Sequence, residues 1–185
     1  MRLMRCLAAF ALACAPLLAA AQGTGGTADD PAYHQFDFDI GTWKTHSTRL
    51  LKPLTGSTTW ADLDSITVVR KIGNGWANLV ELKGDGPAGP VQLLALRWYN
   101  PAARQWNLDF AHPGSGTLGT PGVGMFKSGR IDFYDQEPYN GRAILVRFSV
   151  WPVGADSAAS EQAFSDDGGK TWEVNWRTAY TRMAD

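Results

Sequence analysis

Beyond residue 21 the chain has no cysteine: both, Cys6 and Cys14, sit in an N-terminal apolar stretch. If that stretch is removed, thiol nucleophiles, zinc–thiolate sites and structural disulfides are excluded. Histidine is scarce, with only His34, His46 and His112, none at metal-ligand spacing. A haem site would need His46 or His112 to face inward. No basic run stands out. Setting aside Arg2 and Arg5 leaves 15 of the 17 basic residues against 18 acidic ones, a formal charge of −3. That is no footprint for nucleic acid or for an anionic membrane surface. Gly114-Ser115-Gly116 is not the Gly-x-Ser-x-Gly of a nucleophile elbow. The glycine-rich stretch around it lacks the Lys-Ser/Thr of a phosphate loop. It reads better as a loop at the mouth of a fold. No segment after residue 21 keeps a helical period, and no internal repeat occurs. No metal, cofactor or catalytic set is therefore expected.

The N-terminus has the pattern of an export signal. Arg2 and Arg5 precede the apolar run Cys6 to Leu18, and Ala19-Ala20-Ala21 offers small residues for cleavage. The run is too short to span a membrane. Ala11 stands where a lipoprotein acceptor at Cys14 would want Leu, which disfavours lipidation. The expectation is a signal peptide over 1–21, a flexible leader over 22–35, and one domain over 36–182 in the periplasm or outside the cell. Such a domain can bury a core unaided.

What the chain does contain is short β-type runs separated by turn residues at roughly 8–12-residue spacing. They are Phe36 to Leu51, Thr58 to Lys71, Trp76 to Lys83, Val91 to Tyr99 and Gln105 to Ala111, followed by Met125 to Lys127, Arg130 to Tyr134, Ala143 to Trp151, Ala159 to Phe164 and Trp172 to Thr181. Asn140-Gly141 marks a tight hairpin. Ser165-Asp166-Asp167-Gly168-Gly169-Lys170-Thr171-Trp172 fits Ser-x-Asp-x-Gly-x-Thr-Trp, a pattern that repeats in sialidase propellers. Here it occurs once, in a chain too short for several blades. It is read as a turn in which Asp caps backbone N–H groups and Trp packs beneath. The prediction is an all-β, antiparallel up-and-down barrel of about 9–10 strands, closed because sequential hairpins remove both edges.

Phe36-Asp37-Phe38-Asp39-Ile40-Gly41-Thr42-Trp43 carries Gly-x-Trp at the start of the first run. With Trp98 to Trp106 around a proline turn, and Ser165 to Trp172 leading into Glu173-Val174-Asn175-Trp176, it resembles a family of exported bacterial lipocalin-like (calycin-type) proteins of unknown function. The resemblance covers about Phe36 to Arg182. It implies a barrel with a central cavity, and Trp43 closing one end. It brings no activity or catalytic residue.

Candidate ligand-binding residues are Trp43, Glu81, Arg97, Trp98, Arg147, Glu161 and Trp176. All eight Trp lie after residue 21, and indoles either fill a core or line a cavity. In the last run Trp172, Val174, Trp176, Thr178 and Tyr180 share one face, which points inward by its character. Glu81, Arg97, Arg147 and Glu161 each share a face with apolar neighbours. Inside a barrel each would need a partner; outside, each is an ordinary surface charge. Within Val91 to Tyr99 and Ala143 to Trp151 both faces are apolar, so alternation leaves the inside open. Arg97 or Arg147, if inward, could anchor a ligand carboxylate or phosphate. Asp132, Asp135 and Glu137 could suggest paired-carboxylate chemistry, but they adjoin the Pro138 to Gly141 turn, where solvated acids are ordinary.

Three functional classes remain. The first is a monomeric or weakly dimeric binder of a small, partly apolar ligand. The second is a hydrolase or isomerase in the same cavity, with Glu81 or Glu161 as general base and an Arg as charge stabiliser. The third is a filled barrel acting through its surface, and a cavity below roughly 300 Å³ favours it.

Overall fold

The computed structural model describes residues 30–184 apart from 87, 88 and 115. The proposed signal peptide and most of the proposed leader lie outside the described residues. Ten antiparallel strands form one closed barrel: β1 (Gly41–Leu50), β2 (Trp60–Ile72), β3 (Ala77–Gly86), β4 (Gly89–Asn100), β5 (Gln105–Ala111), β6 (Gly122–Lys127), β7 (Arg130–Tyr139), β8 (Arg142–Gly154), β9 (Ser157–Ser165) and β10 (Glu173–Arg182). Each strand pairs with the next in sequence, and β1 pairs with β10 from Trp43↔Arg182 to Arg49↔Trp176.

Local chemistry sets the turns. Asn140 and Gly141 both adopt positive φ (48° and 75°), the type I′ geometry that suits a two-residue hairpin. Asp167 organises the turn between β9 and β10. Its carboxylate accepts from the backbone N–H of Lys170 and Thr171, each at 3.0 Å, and from the hydroxyls of Ser165 (2.8 Å) and Thr171 (2.7 Å). These bonds, the Thr171 amide first, hold its pKa well below the usual carboxylate range. Trp172 folds back to donate to the Gly169 carbonyl at 3.2 Å.

Two stretches differ from the sequence expectation. Residues 30–35, read as the end of a flexible leader, are packed: Asp30 caps a 3₁₀ turn over Pro31–His34, and Tyr33 is buried. Phe36 to Ile40 is not the start of β1. It forms a second 3₁₀ turn at Asp37–Asp39 that crosses the end of the barrel. Phe36 is fully buried, edge-on to Trp106 and Phe126 with ring centroids 4.9 and 4.8 Å apart. An Asp-Phe-Asp segment alternates like a strand, but its phenyl rings gain more as a plug in the barrel end.

The Gly-x-Trp element has a mechanical cause. Trp43 is buried and donates to the Asp39 carbonyl at 2.8 Å, while the Arg182 guanidinium lies 4.1 Å over its ring. Arg182 also donates to the carbonyls of Ile40 (2.7 Å) and Phe38 (2.8 Å), tying the plug to the last strand. Gly41 has φ of 132°, and a Cβ there would lie 2.6 Å from the same guanidinium. Only glycine fits.

Candidate functional site

Alternation along the strands sends one set of side chains into a cavity of about 260 Å³. Its wall is mostly apolar, with Val69, Val80, Leu93, Leu108, Phe148 and Trp176. The volume falls just under the roughly 300 Å³ common for drug-sized ligands. By the size criterion set out from the sequence, the interior leans toward the filled-barrel class, and only a molecule smaller than drug size fits it.

The closed end of this cavity is polar. Arg97, 3 % exposed in its side chain, pairs with Asp39 at 2.6 Å, and its guanidinium lies 4.0 Å from the centre of the Phe36 ring. Nε and Nη2 of Arg97 have no hydrogen-bond partner. Asn78, its register partner on β3, is fully buried with neither side-chain amide atom partnered. Buried donors left open cost about 1–3 kcal/mol each, so this floor is chemically unfinished. Tyr180 stands beside it, 3.0 Å from the Ser160 hydroxyl. Burial first, and the Asp39 charge next, push the Tyr180 pKa up to about 12.

The barrel wall has one weak seam. β5 and β6 pair only from Trp106↔Gly124 to Leu108↔Gly122. Beyond that, β5 pairs onward with β4 alone and β7 with β8 alone, so a window opens in the wall, with the described loop residues 112–114 and 116–121 between β5 and β6. Asp109 pins this loop by accepting from the Gly119 N–H at 3.2 Å. Asp135 and Glu137, on the inner face of β7, edge the window. Burial, then the charges of Glu137 and Asp109, raise the Asp135 pKa to about 7. Glu137 lines the cavity and keeps solvent contact, yet the surrounding wall and Asp109 also push its pKa up.

Of the residues singled out in the sequence, three are inside. Trp43 is a packing residue at the plug, Arg97 forms the floor, and Trp176 lines the wall. The other four sit on the outer face. Glu81 pairs with Arg70 at 2.6 Å. Trp98 alternates outward next to Arg97. Arg147 lies 3.9 Å from Glu161 and 4.8 Å from the Trp172 ring centre. Those exterior pairs account for the charges that alternation left open.

The shared face expected for the last run is also broken. A bulge at Asn175 places Val174 opposite Ala163 and Trp176 opposite Gln162, consecutive β9 positions. One extra residue reverses the alternation. Trp172 and Val174 therefore lie outside, while Trp176, Thr178 and Tyr180 point in. His46 is outward too, 2.9 Å from Asp64. Among the described residues no group of His, Cys, Asp and Glu side chains is placed to hold a metal.

Sequence reasoning did not single out Asp39, set Asp135 and Glu137 aside as solvated acids beside a turn, and placed Tyr180 on the inward face without giving it a role. A signal existed for two of them: Ile131, Phe133, Asp135 and Glu137 share one alternating face, so the apolar start of β7 carries the acids inward.

A second hollow of about 330 Å³ lies on the rim of β3–β5 by Glu81, Lys83, Gln92 and His112. No buried polar atom without a partner lies there among the described residues.

No protein-family model matches the chain, and no curated protein matches it. Among solved structures, it is similar to the S-type phycobiliprotein lyase CpeS from Guillardia theta. The TM-score is 0.53 at 11 % identity, covering 81 % of this chain and 91 % of that one. A protein of unknown function of the DUF3598 family from Nostoc punctiforme aligns over 82 % of this chain and 99 % of its own, at 8 % identity and a TM-score of 0.21. The first likeness is one of fold: this is a lipocalin-like barrel.

Proposed function

We propose that the protein is an exported carrier, scavenger or sensor that holds one small, partly apolar molecule in the barrel, with the molecule's polar end on Arg97. The observation that carries this reading is the floor. A nine-tenths buried guanidinium with two open N–H donors, at the base of an apolar cavity, fits an incoming hydrogen-bond acceptor. The volume fits a compact molecule. Native mass spectrometry of the protein purified from its own host tests the reading. A co-purifying molecule that is lost in Arg97→Met is expected; bare protein in every preparation overturns it. Amino-terminal sequencing of the same material checks export, with a start near Gln22 expected.

Catalysis in the cavity is the second reading, with changed residues. Glu81 and Glu161 lie outside and cannot serve as bases there. Glu137 lines the cavity with a raised pKa, the property of a general acid or base, and a similar barrel serves a lyase. Release of an altered product from the bound molecule, lost in Glu137→Gln, distinguishes catalysis from carriage.

A further inference from the structure

The charges inside the barrel discriminate between kinds of ligand. Arg97 and Asp39 neutralise each other at the floor. Asp135 and Glu137 remain, and neither takes part in an ion pair among the described residues. Oδ1 of Asp135 is buried without a hydrogen-bond partner. Next to it the inner face of β6 is glycine at 122: a Cβ there would sit 3.7 Å from Asp135 Oδ2, 3.5 Å from Phe133 Cβ and 3.8 Å from the Leu108 carbonyl, in ordinary contact with all three. Room has been left beside an unpaired acid. The cavity that Glu137 lines also carries the rings of Trp176 and Phe110, suited to an apolar body or a cation.

An acid-bearing ligand fits poorly here. A carboxylate would add a fourth negative group beside Asp135, Glu137 and Asp109, which already repel one another, while the arginine is neutralised. A cation relieves both carboxylates at once. A point metal ion is a weaker match, since the acids do not converge on one centre among the described residues. We propose that Asp135 and Glu137 at the window form a subsite for an organic cation, an ammonium or amidinium on a short apolar body whose other end offers an acceptor to Arg97. This rests on the reading that the cavity binds a small ligand.

Three probes of equal chain length separate the two ideas: hexylammonium, hexanol and hexanoate, titrated calorimetrically at pH 8. Hexylammonium is expected to bind about tenfold or more tighter than hexanoate, because the local charge is negative in a partly dry site. Asp135→Asn and Glu137→Gln should each remove most of that preference and leave hexanol affinity unchanged. Gly122→Ala, sterically tolerated, should weaken hexylammonium binding without altering any charge. Lowering the pH from 8 to 6 should weaken it too, as Asp135 takes up a proton. The titratable groups facing Asp135 are Glu137 on its own strand and Asp109 on β5. Hexanoate binding as tightly as hexylammonium, or a preference that persists in both carboxylate variants, overturns the cation subsite alone. Failure of all three probes, hexanol included, overturns the cavity reading as well.

Discussion

The closed end and the window of this barrel treat charge in opposite ways. At the closed end these ionised groups have counterparts: Arg97 meets Asp39, Lys71 meets Asp37, and Arg182 meets Asp156 at 3.4 Å while donating to two carbonyls. At the window two carboxyl groups share a wall, take part in no ion pair among the described residues, and have raised pKa values. The first arrangement holds a plug in place. The second costs stability and stays available to something else. Strain of this kind concentrates where a protein meets ligands.

The strongest way to break the comparison is to attack the plug. Phe36→Ala removes a fully buried ring and should cost about 3–5 kcal/mol in urea-unfolding experiments. Next comes Asp39→Asn, which leaves Arg97 buried without its counter-charge. A loss of roughly 3 kcal/mol is expected, and the double variant Asp39→Asn/Arg97→Met should recover much of it, since an apolar pair replaces an ion pair at little cost. A double variant as unstable as Asp39→Asn alone shows that the pair does more than neutralise itself.

At the window the sign reverses. The folded pKa of Asp135 is raised above its ordinary value of 3.8 to about 7, so between those values the native state holds more protons than the unfolded one. Stability should therefore fall as pH rises through that window. Asp135→Asn should stabilise the protein at pH 8 by on the order of 1 kcal/mol, after allowance for partial solvent screening. The gain should vanish below about pH 4. A variant less stable than the parent at pH 8 refutes the assignment. The smallest effect belongs to neither end. Asp167→Ala should speed amide exchange at Lys170 and Thr171, which lose their acceptor, with only a slight change in melting temperature.

The strands were legible because turn chemistry is local. Asn140-Gly141 and the Ser165–Trp172 segment state their turns in adjacent residues, and each expected run contains a strand or part of one, although Phe36 to Ile40 at the head of the first run does not join it. Facing was legible only where alternation was unbroken. Asn175 inserts one residue into β10, a change visible in pairing and invisible in composition. Arg97 and Arg147 look alike in sequence, each flanked by apolar neighbours. What separates them is Asp39, 58 positions before Arg97, arriving on a plug that resembled a strand. The acids of β7 were hidden by their nearness to a turn, although their strand had already committed one face to the core.

The seam between β1 and β10 has a consequence for time rather than for energy. Ser47 meets Thr178 across it at 2.8 Å, joining residues separated by 131 positions. Closing so long a loop is entropically expensive and slow compared with zipping hairpins. The ribosome must therefore release nearly the whole chain before the cylinder can shut. Until then the first and last strands are bare edges, able to pair with a neighbouring molecule. A chain truncated before Glu173 should behave as an aggregating sheet, not as a smaller barrel.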